Sequence, residues 1–172
     1  AEANKANLKG AFKAADPKPL YSMRKVDAPT AKAIADWAKA QGFKSVSDDM
    51  HVTLAYSREP VDARSVPVGT GPMNVAPAGR GITQFDGGAV VLTLPPKGLA
   101  EQWQALKDAG ASWDYDTFQP HITISYDATG VDLKKVKPYR GPIALQGEER
   151  SVLDPDFKPT ESLLLRVGNP GY

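Results

Sequence analysis

The chain has two histidines, and both stand in the same local pattern. His51-Val52-Thr53-Leu54-Ala55-Tyr56 and His121-Ile122-Thr123-Ile124-Ser125-Tyr126 alternate in the way of half-buried strands. Strict alternation predicts His51, Thr53 and Ala55 on one face, with Val52, Leu54 and Tyr56 on the other. The second copy predicts His121, Thr123 and Ser125 opposite Ile122, Ile124 and Tyr126. An imidazole beside a hydroxyl, twice over, suits phosphodiester cleavage. One group must take a proton from the attacking oxygen and another must protonate the departing alkoxide. Two histidines near their reference value of about 6.5 can hold opposite protonation states at neutral pH. Threonine hydroxyls can donate to the non-bridging phosphate oxygens as charge builds there.

A single His-x-Thr would mean little, because a lone strand histidine is more often structural than catalytic. Its repetition in a chain without other histidines marks a site. Zinc is the competing reading, since Asp48, Asp49, Asp114 and Asp116 lie close in sequence to the histidines. No ligand pair has helical i, i+4 spacing or a compact metal signature, so the expectation is no metal and no cofactor.

The elements around the two motifs repeat as well. A strand begins at Pro19-Leu20-Tyr21 and runs to about Val26. Asp27 caps a helix with Pro29 in its first turn, and Ala31, Ile34, Ala35 and Ala38 form its apolar face. Gly42 ends it, and a loop through Asp48 and Asp49 leads to the first motif. Short strands are expected near Met73–Ala76 and Ile82–Phe85. Ala89–Leu94 then reads as a strand broken by Pro95-Pro96, and Leu99, Trp103 and Leu106 mark a helix ending at Gly110. The second motif follows, with further strands near Ile143–Gln146 and Ser162–Val167.

Each unit therefore runs strand, helix, glycine, loop, His-x-Thr strand. This is the pattern of an internal duplication. The expected fold class is α+β: a bilobal, duplicated fold of two antiparallel-rich sheets, each strand packed on its own unit's helix outside, with the active-site cleft between the lobes. Residues 1–18 read as a linker or disordered segment and 19–172 as one bilobal domain. The chain lacks an initiator Met, which is expected of a processed protein or a piece of something longer.

Composition narrows the partners. Twenty-one Lys and Arg against twenty Asp and Glu leave a net charge of +1 over 172 residues, too little for duplex-DNA binding by bulk phosphate neutralisation. The absence of cysteine excludes disulfides, thiolate zinc sites and cysteine nucleophiles. No apolar run is long enough to span a bilayer and no signal peptide is visible, so a monomer in the cytoplasm, without membrane contact, is expected.

Several segments together resemble the two-histidine phosphoesterase superfamily, with its paired His-x-Thr/Ser motifs on a bilobal fold. They resemble most its phage branch, the anti-CBASS nucleases that destroy bacterial cyclic-oligonucleotide alarm signals. The segments are Leu20-Tyr21, Trp37-Ala38, Gln41-Gly42-Phe43, His51-Val52-Thr53 with Ala55-Tyr56-Ser57-Arg58, Pro60-Val61-Asp62, Gly110-Ala111-Ser112, and Gln119-Pro120-His121-Ile122-Thr123. The resemblance implies that His51, Thr53, His121 and Thr123 are catalytic. It further implies that Tyr21 stacks on a base and that Glu149 lies in the C-terminal part of the pocket. Where the branch often has a tryptophan, this chain offers Phe157. Trp113 and Tyr115 precede the second motif and offer either base stacking or closure of the core beneath their loop.

The resulting expectation is a metal-independent phosphodiesterase that opens cyclic di- or trinucleotides such as 3′,3′-cyclic GMP-AMP, in the host bacterial cytoplasm if phage-encoded. The alternatives are an enzyme acting on 2′,5′ or 2′,3′-cyclic phosphates at RNA ends, and a module that binds a cyclic nucleotide without cutting it. Which histidine is base and which is acid is open at the level of sequence.

Overall fold

A computed structural model describes residues 17–153 of the chain. Phe157, the strand expected near Ser162–Val167 and nearly all of 1–18 lie outside the described residues. The elements run β1 Lys18–Val26, α1 Ala28–Ala40, β2 Lys44–Val46, β3 His51–Val61, β4 Met73–Val75, β5 Gly81–Gln84, β6 Val90–Thr93, α2 Leu99–Asp108, β7 His121–Asp127 and β8 Ile143–Val152. Two short 3-10 turns, Ala63–Ser65 and Leu133–Lys135, complete them.

The strands form two four-stranded sheets, ordered β3-β1-β8-β4 and β2-β7-β6-β5, and every pairing is antiparallel. With two helices this is the α+β architecture that the repeated pattern predicts. The helix ends follow from local chemistry. Asp27 accepts a hydrogen bond from the Thr30 amide at 3.0 Å, and Gly42 leaves α1 at φ +97°, a conformation that costs glycine little. The Glu101 carboxylate accepts from the Gly98 amide at 2.7 Å at the start of α2, and Gly110 leaves it at φ +114°.

The helices do not pack on the motif strands of their own units. α1, which follows β1, packs on β2 and β7 of the second sheet, whereas α2, which follows β6, packs on β3 of the first. The expectation that each motif strand buries its apolar face against its own helix is therefore corrected: the two units exchange helices. Ile34 and Ala38 of α1 and Leu99 and Leu106 of α2 are buried, and one apolar cluster runs through both sheets. β2 contributes to the exchange. It belongs to the first unit but pairs with β7, through Lys44 opposite Asp127 and Val46 opposite Ser125.

The outer face of the first sheet holds a buried polar strap. Glu148 on β8 receives hydrogen bonds from Ser22 at 2.5 Å, from Gln102 of α2 at 2.7 Å and from the Gly69 amide at 2.8 Å, and pairs with Arg150 at 2.5 Å. Arg150 in turn donates to the carbonyls of Ala63, Val66 and Pro67, and Arg24 donates to those of Gly71 and Gln146. Buried charges persist when paired and hydrogen-bonded in this way, and these tie the 63–71 connection to the sheet.

Candidate active site

β3 and β7 pack against each other, and each carries its histidine at its first residue. Both imidazoles are buried, at 8% and 9% exposure, and they are near enough for His51 to influence the titration of His121. Their rings are anchored alike. His51 Nδ1 lies 2.9 Å from the Asp49 carbonyl, and His121 Nδ1 lies 2.9 Å from the Gln119 carbonyl. A carbonyl can only accept, so Nδ1 carries the hydrogen in both rings and Nε2 is left for a ligand.

The register of the strands shows which residues share the histidine faces. On the first sheet Lys25 stands opposite His51 and Met23 opposite Thr53; on the second, Thr93 stands opposite His121 and Val91 opposite Thr123. Both motif strands are then bulged at the same place. Met23 pairs with Thr53 but Ser22 with Ala55, so Leu54 is the extra residue. Likewise Val91 pairs with Thr123 and Val90 with Ser125, which makes Ile124 extra. A bulge reverses the facing of everything beyond it.

Two expectations change as a result. Ala55 and Ser125 leave the histidine face; Ser125 is fully buried, and its hydroxyl donates to the Lys44 carbonyl. Tyr56 is instead turned onto the histidine face, opposite Tyr21, with their ring centroids 6.2 Å apart, edge to face. Bulges leave no mark on a pattern of alternating residues, which is why Tyr56 is missed from sequence.

Tyr21 lies on the same face as His51 and Thr53, half-buried, and shares a hydrogen bond with the Thr53 hydroxyl. Burial pushes its phenol well above the ordinary range, with the Asp49 and Glu149 carboxylates adding to the effect. Glu149 is opposite Met23, which is opposite Thr53, so the three make one row across β8, β1 and β3. Glu149 is exposed, while its neighbour Glu148 points into the strap behind the sheet. Ser151, opposite Tyr21, continues that face.

Trp113 is not brought to the histidines. It packs with Trp103 and Phe118 at centroid distances of 6.1 and 5.8 Å, and its Nε1 donates to the Thr117 carbonyl. It closes the space behind Leu54 and Ala55 instead. Arg58 is paired with Asp114 at 2.9 Å, and its guanidinium lies over the Tyr56 ring at 5.3 Å. Among the described residues, no three His, Asp or Glu side chains converge in the manner of a metal centre. A concavity of about 680 Å³, lined by Pro95, Pro96, Trp103 and Phe118 among others, lies beside α2, and neither histidine lines it.

Burial lowers His121 to about 4, with His51 pushing the same way and the hydrogen bond to Gln119 opposing. The Phe85 ring stands nearly perpendicular to the His121 imidazole, with the ring centroids 5.2 Å apart. His121 is therefore neutral at pH 7, with its Nε2 lone pair available. On two packed strands the arrangement supplies two anchored imidazoles, a threonine two residues beyond each, and a half-buried tyrosine beside Thr53, groups whose chemistry covers proton removal, proton donation and hydrogen bonding to a phosphate.

Residues 18–160 match the family model described as Anti-CBASS protein Acb1. A protein of that description from Sphingomonas paeninsulae is 44% identical over 158 residues, covering 85% of this chain and 25% of the relative. Another, from Caulobacter sp. (strain RHG1), is 39% identical over 148 residues, covering 81% of this chain and 23% of the relative. The chain thus spans about a quarter of the length of these two relatives. In three dimensions it is similar to E. coli LigT, solved with 3′-AMP, at a TM-score of 0.51 and 19% identity, over 80% of this chain and 98% of LigT. That likeness concerns the fold.

Proposed function

The chain belongs to the Anti-CBASS protein Acb1 family, and from that premise we propose that it is a metal-independent phosphodiesterase that opens cyclic di- or trinucleotide immune signals. The observation that carries this reading is the matched pair of imidazoles, each fixed through Nδ1 at 2.9 Å to the carbonyl two residues before it. Fixed rings with free Nε2 atoms are what paired proton transfer requires, because a proton moves only between groups already within hydrogen-bond reach.

In this mechanism one histidine takes the proton of the ribose 2′-hydroxyl beside the scissile phosphate. The 2′-oxygen bonds to phosphorus, the bond to the 5′-oxygen breaks, and the second histidine protonates that oxygen. The products are a 2′,3′-cyclic phosphate and a free 5′-hydroxyl, and water can later open the ring with the two roles exchanged. Thr53 and Thr123 donate to the non-bridging oxygens. Tyr21, backed edge to face by the buried Tyr56, offers aromatic surface to a base, and Glu149 offers an acceptor to base or sugar hydrogens. The protein would act as a monomer where the signal is made, in the bacterial cytoplasm.

The test is incubation with a panel of cyclic di- and trinucleotides, 3′,3′-cyclic GMP-AMP among them, beside RNA oligonucleotides ending in 2′,3′-cyclic phosphate or joined 2′,5′. Linear products from the cyclic compounds, at rates well above those on the RNA ends, are expected. Preference for the RNA ends would overturn the reading in favour of RNA processing. Tight binding without cleavage would overturn it in favour of sequestration.

A further inference from the structure

The matched anchoring of the histidines makes their one mismatch conspicuous. The residue whose carbonyl holds each ring is Asp49 for His51 and Gln119 for His121. The Asp49 carboxylate lies 3.8 Å from His51 Nδ1. The Gln119 amide is neutral and engaged elsewhere, with Nε2 donating to the carbonyls of Leu94 and Pro120 at 3.1 and 2.9 Å. An imidazolium at residue 51 thus has an anion beside it, whereas one at residue 121 has an uncharged phenyl ring and a neutral amide.

The wider surroundings agree. The row through His121 holds Thr93 on β6 and Gly81 on β5, both uncharged, while Lys44 on β2 stands opposite Asp127 at the far end of β7. The row through His51 holds Lys25 on β1; the same face carries Tyr21 on β1 and Glu149 on β8, Asp48 lies in the same loop as Asp49, and His121 approaches from β7. Lys25 is exposed, and water screens a charge on a flexible, solvated stem more than one held at 3.8 Å from a buried ring.

Resting on the phosphodiesterase reading, we propose that Asp49 is a positioning residue that gives the duplicated site its direction: His51 is the protonated acid and His121 the neutral base. The 2′-hydroxyl proton goes to His121 Nε2 as the oxygen–phosphorus bond forms. The proton on His51 Nε2 goes to the 5′-oxygen as its bond to phosphorus breaks. Charge and protons balance, and no oxidant, reductant or metal takes part. The enzyme then stands with His121 protonated and His51 neutral, which is the state needed for water to open the 2′,3′-cyclic phosphate in the reverse sense.

Imidazole nitrogen NMR on the full chain tests the charge pattern without any substrate. As pH falls, His51 is expected to take up its proton before His121. Asp49→Asn should move the His51 titration toward lower pH by roughly tenfold in proton affinity and leave that of His121 nearly in place. Protonation of His121 first, or an unaltered His51 titration in Asp49→Asn, would overturn the proposal and leave the two-histidine reading standing. The second arm uses a cyclic dinucleotide with sulfur at the bridging 5′ position, since a thiolate departs without a proton. The loss caused by His51→Ala should largely vanish on it, while that of His121→Ala persists. The reverse pattern would overturn the assignment, whereas failure of the wild-type chain to cut any cyclic nucleotide would count against the activity itself.

Discussion

Glu148 and Glu149 are adjacent in sequence and point to opposite faces of one sheet. Glu148 is buried and holds Ser22, Gln102, the Gly69 amide and Arg150; Glu149 is exposed, in one row with Met23 and Thr53. A strand's alternation sends one carboxylate of the dipeptide into the clamp and leaves the other on the open face.

Their substitutions should therefore separate stability from function. Glu148→Ala leaves Arg150 buried without its anion and should cost about 3–5 kcal/mol, the range for breaking a buried pair from one side. Glu149→Gln should leave the denaturation midpoint nearly unchanged and raise KM for the cyclic substrate. Urea titration and steady-state kinetics on both variants distinguish the two, and equal stabilities would contradict the division.

His51→Ala and His121→Ala should each reduce cleavage by at least about 10²-fold, the lower range for a positioned proton-transfer group. The double variant should be little slower than either single one, because the pair acts as a unit. Circular dichroism should show the fold retained in all three. Near-wild-type turnover by a folded single variant would contradict the pairing.

Stability should depend on pH through His121. Its value of about 4 in the folded chain is below the ordinary histidine value. Between about 6.5 and 4 the unfolded chain binds a proton that the folded chain refuses, so this contribution is complete above about 6.5 and is lost as the pH falls toward 4. Denaturant titrations from pH 7 to pH 4.5 measure it. His121→Gln should show a shallower decline over that window, and an identical decline would contradict the burial argument.

Removal of divalent ions should leave turnover intact. The proposed acid and base are both side chains, so dialysis against EDTA should change the rate by less than about twofold. Loss of activity restored by zinc or manganese would point to a metal-activated water instead.

Much of this site is legible in the residues themselves. The paired motifs, Asp27 as a cap, the glycines that end both helices and the strand carrying Tyr21 are all local signals, and local signals survive folding. What is not legible is non-local. The bulges at Leu54 and Ile124 arise from register between strands, and they alone bring Tyr56 in and take Ser125 out. The exchange of α1 and α2 between sheets is a matter of topology, and a duplicated sequence is equally compatible with either pairing. β2, with three residues and Ser45 at φ +48°, is too short to announce itself. Trp113 packs with two aromatic neighbours, Trp103 and Phe118, a pairing that no local sequence pattern announces.

The most direct measurement compares 3′,3′-cyclic GMP-AMP with its analogue lacking both 2′-hydroxyls, in EDTA, following linear products by chromatography. If the 2′-oxygen is the nucleophile and the two histidines move its protons, the native dinucleotide is opened and yields a 2′,3′-cyclic phosphate terminus. The dideoxy analogue should then compete for binding and remain closed. Opening of the analogue at a comparable rate would show water to be the attacking group and would contradict the account at its centre.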